Sequence, residues 1–130
     1  MLAKYNDTPA AIAIGVVTLF FIIQVVLICF TAETFLEDSG INPAGLPLVY
    51  WMCGFLAILS VGLILTFIKG PDGQSIFFNV MLIVQIGSVI GQLIEYATDA
   101  GTKSPPAILA LTIVVAALYF FGYFRVRSRL

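Results

Sequence analysis

Four long apolar runs, separated by short polar connections, make up the pattern of this chain. Each run is close to the length of about 20 residues that crosses about 30 Å of hydrocarbon as an α-helix. The pattern therefore predicts an all-α membrane protein in which the whole chain, residues 1–130, forms a single antiparallel four-helix transmembrane bundle. The predicted spans cover about residues 10–38, 46–69, 74–99 and 105–125.

Glycine, proline and charged residues predict where these helices begin and end. The first helix is expected to overshoot its apolar run by a turn or two, over residues 32–38. The second span is entered through Pro47 and ended by Lys69-Gly70-Pro71, which offers a C-terminal cation, a flexible cap and a helix breaker. Asp72-Gly73 predicts a tight turn, so the second and third spans form an antiparallel hairpin. Ser104-Pro105-Pro106 predicts the cap and first turn of the fourth span.

Positive charge is distributed unequally between the two sides of the predicted bundle. The opposite connections hold only Lys103, whereas the side with both termini and the hairpin turn holds Lys4, Lys69, Arg125, Arg127 and Arg129. The positive-inside rule therefore predicts an integral membrane protein with both termini in the cytoplasm, and we expect it in the inner membrane of a bacterium.

The C-terminal segment combines arginines with aromatic residues. We predict that Arg125, Arg127 and Arg129 form a cytoplasmic anchor for anionic lipid headgroups; alternatively, they dock onto an acidic patch of a partner. The aromatic residues before them fit an aromatic belt at the inner interface of the membrane: Tyr119, Phe120, Phe121, Tyr123 and Phe124.

The composition supports the membrane assignment and excludes several kinds of site. Hydrophobic residues make up 61% of the chain and charged residues 10%, with a mean hydropathy of +1.09. The formal net charge of −1 gives no basic footprint for nucleic acid. Because the sequence contains no histidine, most haem and zinc sites and all catalysis by Ser-His or Cys-His pairs are excluded. We therefore expect no catalytic residues, no metal and no cofactor.

Polar residues interrupt the third span in a regular way. Gln85, Ser88, Gln92 and Glu95 are spaced three, four and three apart, which places them in one stripe along the helix. The stripe either lines a ligand cavity or a proton or ion path, or it forms hydrogen bonds to neighbouring helices. Glu95 lies about one turn inside the predicted membrane boundary, where it is either solvated or buried as a proton-binding group.

Small and polar residues predict where helices pack closely. Gly87 and Gly91 form a small-xxx-small pair beside the polar stripe, and Gly54 and Gly62 offer similar points on the second span. Gln24 is the strong hydrogen-bonding side chain of the first span and is expected to face the bundle.

The two cysteines of the chain, Cys29 and Cys53, both lie toward the outer side of the predicted bundle. Two interpretations stay open. They form a disulfide in an oxidising compartment, or they are buried thiols that pack as small hydrophobic side chains.

A family resemblance is carried by the layout of the last three spans. The relevant segments are the glycine-bearing YWMCGFLAILSVGLIL, the inner turn KGPDG, the end of the third span GQLIEYATDAG and the proline-initiated KSPPAILAL. This layout resembles the DoxX-like group of small four-helix bacterial membrane proteins over most of the chain. The resemblance implies the four-helix bundle and offers no enzymatic activity to carry over. Gln92 stands where members of that group tend to carry an arginine.

These observations lead to two functional hypotheses. The first is a non-enzymatic accessory or scaffold subunit that packs against other membrane protein subunits of a larger assembly, for example an energy-converting one. The alternative is a binder or carrier of a lipophilic small molecule, such as a quinone, a carotenoid or a lipid, which uses the polar stripe of the third span.

Overall fold

Four long helices form the protein in a computed structural model that describes residues 2–34, 43–98 and 106–130. They are α1 (Thr8–Phe30), α2 (Leu46–Lys69), α3 (Ser75–Ala97) and α4 (Pro106–Val126). Short 3-10 helices cover Leu2–Tyr5, Pro43–Gly45 and Arg127–Arg129, and the described residues contain no strand. Each long helix is long and apolar enough to cross a membrane. The predicted all-α four-helix architecture is thus confirmed, and the protein is an integral membrane protein that contacts lipid.

The limits of the last three helices lie within two residues of the predicted spans, but the first helix ends earlier. α1 stops at Phe30 because Thr31 leaves the helical conformation, while its backbone N–H and its hydroxyl both donate to the Leu27 carbonyl oxygen. Helical geometry resumes only over residues 32–34. The rest of the predicted overshoot, and the predicted cap at Ser104 with Asp99 and Lys103, lie outside the described residues.

The start of α1 is held by a side-chain cap. Asp7 accepts a hydrogen bond from the Ala10 N–H at 3.0 Å, which satisfies one of the unpaired donors of the first turn. Its other carboxylate oxygen lies 2.7 Å from Nε of Arg125, near the end of α4. The hydrogen bond from Ala10, followed by the contact with Arg125, lowers the pKa of Asp7. This pair places the start of α1 beside the end of α4.

The helices lie side by side in the order α2, α1, α4, α3. α1 packs along both α2 and α4, and α3 packs along α4. The backbones of α2 and α3 approach each other less closely, although a turn that uses Gly70 and Gly73 at positive φ joins them. The ring of Phe77 bridges part of this gap, since it occupies the space where a side chain at Gly62 would stand.

Buried packing is concentrated at one end of the bundle. We call this the terminal end, because it holds both chain termini and the α2–α3 turn, and we call the opposite end the loop end. The residues of the main core come from the first part of α1 and α3 and from the second part of α2 and α4, together with Tyr5: Ala10, Ala11, Ile14, Val17, Phe21, Leu59, Leu63, Phe78, Met81, Val115, Tyr119 and Val126.

A smaller cluster joins only two helices at the loop end. There Ala32 and Val49 are buried against Ile28 and Leu46, which connects α1 to α2. The buried residues of α3 end at Gln85, and those of α4 begin at Val115. Toward the loop end, α3 and α4 therefore bury few side chains against the rest of the described chain.

Candidate functional site

The C-terminal arginine ties three distant segments together at the terminal end. The guanidinium of Arg129 makes a two-point contact with the carboxylate of Asp72, with Nη2–Oδ2 at 2.7 Å and Nε–Oδ1 at 3.0 Å. It also donates to the carbonyl oxygens of Tyr5 and Lys4, and Nζ of Lys4 donates to the Ile68 carbonyl oxygen at 3.2 Å. The chain end thereby fastens the N-terminal 3-10 helix to the α2–α3 turn.

The three predicted anchor arginines are placed differently from one another. Arg125 pairs with Asp7 and lies over the Phe121 ring at 5.4 Å, and Arg129 pairs with Asp72. Arg127 lies over the Phe124 ring at 5.6 Å and has no carboxylate partner among the described residues. Two of the three charges are thus engaged inside the chain, and Arg127 is the arginine left for an external anion.

The predicted polar stripe crosses from a buried to an open environment along α3. Gln85 is only 2% exposed, whereas Ser88 is exposed and Gln92 and Glu95 are half-buried. The Ser88 hydroxyl donates to the Val84 carbonyl oxygen of its own helix at 2.9 Å, so it makes no bridge to another helix. Nε2 of Gln85 and Oε1 of Gln92 are both buried, and neither has a hydrogen-bond partner in the described structure.

A second helix contributes a similar unpaired polar group. Ser60 of α2 is 5% exposed, and its buried Oγ has no partner within the described ranges. It lies nine residues before the end of α2, and Gln85 lies ten residues after the start of α3. At 1.5 Å per residue both stand roughly 15 Å from the turn, so two unpaired donors lie at the same depth of the bundle.

The spacing of Cys53, Ala57 and Ser60 at i, i+4 and i+7 predicts a small-residue packing face on α2, without a polar role for Ser60. The structure buries Cys53 and Ser60 on this face.

The polar contacts that join α3 to α4 come from residues outside the stripe. The Tyr119 hydroxyl donates to the Phe78 carbonyl oxygen at 2.8 Å, and the Tyr123 hydroxyl donates to Oδ1 of Asn79 at 2.7 Å. Tyr119 is fully buried, so its predicted place in an interfacial aromatic belt is wrong. Its aromatic ring packs in the core, and its hydroxyl finds a partner there.

The predicted packing glycines divide into occupied and open positions. Gly62 faces the ring of Phe77, as a close-approach point should. At Gly54, Gly87 and Gly91 an added Cβ would meet no other atom of the described chain within 4 Å, so these three do not pack against another helix of this chain as predicted. Gly122 was not predicted as a packing glycine, because no small residue lies four positions before or after it. In the structure, the side chain of Ile14 fills the space beside Gly122.

Gln24 of α1 lies three residues beyond the buried Phe21, on the same face. Its side chain is half-buried and makes no hydrogen bond among the described residues. This position agrees with the prediction that Gln24 faces the bundle. Among the described residues, Gln24 forms no hydrogen bond to another helix.

Residues with metal-binding chemistry are dispersed. Within the described ranges, no group of three or more His, Cys, Asp or Glu side chains comes together.

The chain was compared with models of protein families, with curated proteins and with solved structures, and no match was found. The resemblance to the DoxX-like group therefore stays a prediction.

Proposed function

We propose that this protein is a non-enzymatic accessory or scaffold subunit that docks against a transmembrane helix of a larger membrane assembly. The docking surface is the outward face of α3, formed by Ile83, Gly87, Ile90, Gly91 and Ile94. The observation that carries the proposal is that both glycines of this face are open, with no neighbouring atom within 4 Å of the position of a Cβ.

The geometry of the outward face suits close contact with another helix. Gly87 and Gly91 lie on the side of α3 opposite Phe78 and Gln85, which face the core. Their spacing of four residues makes a notch about 6 Å long. Because lipid provides no hydrophobic driving force between helices, association in a membrane depends on such close packing of small residues.

The protein uses the same device inside its own bundle. Gly62 receives the ring of Phe77, and Gly122 receives the side chain of Ile14. Ile83, Ile90 and Ile94 beside the notch are exposed, and a partner helix would pack against their side chains. A partner helix would therefore find at Gly87 and Gly91 the kind of contact that already holds this bundle together.

We place both termini in the cytoplasm of a bacterium with this subunit in its inner membrane. The support is that Lys4, Lys69 and the three arginines cluster at the terminal end, where they outnumber Asp7 and Asp72. A reporter enzyme fused at Leu130 that is active only outside the cytoplasm should stay inactive, and an active fusion would reverse the orientation.

Site-specific crosslinking in native membranes tests the docking surface. A photoreactive amino acid at Ile90 should crosslink to one other membrane protein, and the same group at Ile58, an exposed position of α2, should not. Gly87→Leu and Gly91→Leu should abolish the crosslink. Gly54→Leu is the matched control, because it fills an equally open position on α2. If the Ile90 probe reacts only with lipid, or if filling the notch leaves the crosslink unchanged, the proposal fails.

A specific observation also favours a second candidate, the binding of a lipophilic molecule with a polar head. Gln85 Nε2 is buried on α3 and has no hydrogen-bond partner among the described residues. A carbonyl oxygen, as in a quinone or a lipid ester, that reaches Gln85 from between the helices would accept a hydrogen bond from it. In this candidate Gln92 and Glu95 line the path toward the loop end.

Extraction of the purified protein with organic solvent, followed by mass spectrometry, tests this candidate. A stoichiometric lipophile should be retained by the wild type and lost from Gln85→Leu, with weaker retention in Gln92→Leu and Glu95→Gln. Thr18→Val serves as control, because the Thr18 hydroxyl is buried but bonds to its own helix. Equal retention in all variants would reject ligand binding through the stripe.

A further inference from the structure

α1 and α2 meet at the loop end through a small apolar cluster, and the two cysteines of the chain lie beside it. Ala32 and Val49 are the buried members of this cluster. Cys29 directly follows Ile28 of this cluster, and Cys53 lies one turn after Val49 on the same face of α2, so both lie close to the seam between the two helices. The side chains of Cys53 and Cys29 lie close enough to influence each other, and both are free thiols.

The two thiols differ in how easily a reagent can reach them. Cys29 is exposed, whereas Cys53 is buried. Cys29 also lines a surface cavity of about 300 Å³ at the loop end, together with Thr31, Glu33, Thr34 and Tyr50. An incoming disulfide therefore meets the exposed Cys29 before the buried Cys53.

We propose that Cys29 and Cys53 are a reversible dithiol–disulfide pair, which external disulfides oxidise to a covalent link between α1 and α2. The reaction takes place in two exchange steps. The Cys29 thiol gives up its proton and attacks one sulfur of the external disulfide, which forms a mixed disulfide and releases the first thiol. The Cys53 thiol then gives up its proton and attacks the Cys29 sulfur, which closes the internal disulfide and releases the second thiol. Two electrons and two protons pass from the pair to the external disulfide.

This arrangement divides the roles between an attacking and a resolving cysteine. When a second thiol lies close to the exposed one, it attacks the mixed disulfide. The disulfide then forms within one chain instead of between two chains. The link would hold α1 and α2 together at the loop end, where the rest of their packing is one small cluster. The outward face of α3 is not involved, so this inference is independent of the docking proposal.

Oxidised glutathione added to the purified protein in mild detergent provides the test. The wild type should become a monomer with a mass lower by two hydrogen atoms and no thiol open to maleimide after denaturation. Cys53→Ser should stop at a glutathione adduct on Cys29, and Cys29→Ser should stay unmodified because Cys53 is buried. The chain has two cysteines in all, so each product has a single assignment.

Several results would overturn the proposal. These are a wild type that keeps both thiols, one that stops at the same glutathione adduct as Cys53→Ser, and one that forms a disulfide-linked dimer. Thermal unfolding supplies a second readout: the internal disulfide should raise the unfolding temperature of the wild type, and added reductant should reverse the change. An unchanged unfolding temperature would show that the link does not hold the two helices together.

Discussion

Arg129 and Asp72 form a two-point ion pair, with nitrogen–oxygen distances of 2.7 and 3.0 Å, although 57 positions separate them in the chain. The same guanidinium donates to the carbonyl oxygens of Tyr5 and Lys4. One side chain thus joins the C-terminus, the N-terminal 3-10 helix and the α2–α3 turn. The segment that carries Arg129 is therefore part of the fold at the terminal end.

Removal of this guanidinium should destabilise the protein. Arg129→Ala should lower the free energy of unfolding by about 1–2 kcal/mol, because charged hydrogen bonds to two carbonyl oxygens and a half-exposed ion pair are lost together. Arg129→Lys should recover little, since an ammonium cannot reproduce the planar two-point contact. Reversible unfolding in mixed micelles measures the difference. Arg127→Ala is the control, and equal losses for Arg127 and Arg129 would contradict the role of the clamp.

The capping carboxylate of Asp7 should make stability depend on pH in the acid range. Its pKa in the folded protein is below the ordinary value of 3.8, chiefly because of the hydrogen bond from Ala10 and then because of Arg125. The stabilisation is therefore present above the unfolded pKa and is lost as the pH falls through the folded pKa.

Asp7→Asn isolates this effect, because asparagine caps a helix about as well but carries no charge. The difference in unfolding free energy between wild type and variant should be constant between about pH 5 and pH 8 and should shrink below about pH 4. A difference that stays constant into strong acid would show that the charge of Asp7 contributes nothing to the fold.

A methyl group added at Gly62 would have to displace the ring of Phe77. Gly62→Ala should cost about 1–3 kcal/mol of stability, since the added methyl group overlaps the phenyl ring. Gly54→Ala is the matched control, and it should be neutral or stabilising by up to about 1 kcal/mol because its surroundings are open. Phe77→Leu combined with Gly62→Ala should recover part of the loss. Additive effects in this double-mutant cycle would argue against direct contact.

Two buried polar side chains should respond oppositely to removal of the polar group. Gln85→Leu should keep or raise the stability of the ligand-free protein, by up to about 1 kcal/mol, because its amide nitrogen is buried without a partner. Tyr119→Phe should lower stability by about 1 kcal/mol, because it removes the hydrogen bond to the Phe78 carbonyl oxygen. Thermal unfolding of both variants in the same detergent makes the comparison. A loss of stability in Gln85→Leu comparable to that in Tyr119→Phe would mean that Gln85 has a partner after all.

The sequence alone predicted the number of helices, their approximate limits and the hairpin turn. These follow from local chemistry: a run of about 20 apolar residues has to span the membrane, and Lys69-Gly70-Pro71 ends a helix through its own cap and breaker. The early end of α1 shows the limit of this reasoning. Thr31 belongs to an apolar run that predicts a continuous helix, yet its backbone leaves the helical conformation and α1 ends at Phe30.

The tertiary structure decided which of the predicted faces meet a neighbour. Helical spacing predicts the helix face on which Gly62, Gly87 and Gly91 lie. Only the packing of the helices decides that Phe77 fills the space beside Gly62, while the space beside Gly87 and Gly91 stays open. The same holds for polar residues: Gln85 and Ser60 turn inward without a partner, while Tyr119 finds one across α4 and α3. The spacing of small and polar residues along a membrane helix predicts which of them share a side of that helix. Which helix stands opposite that side depends on contacts between residues far apart in the chain, such as Arg129 and Asp72, which local sequence does not encode.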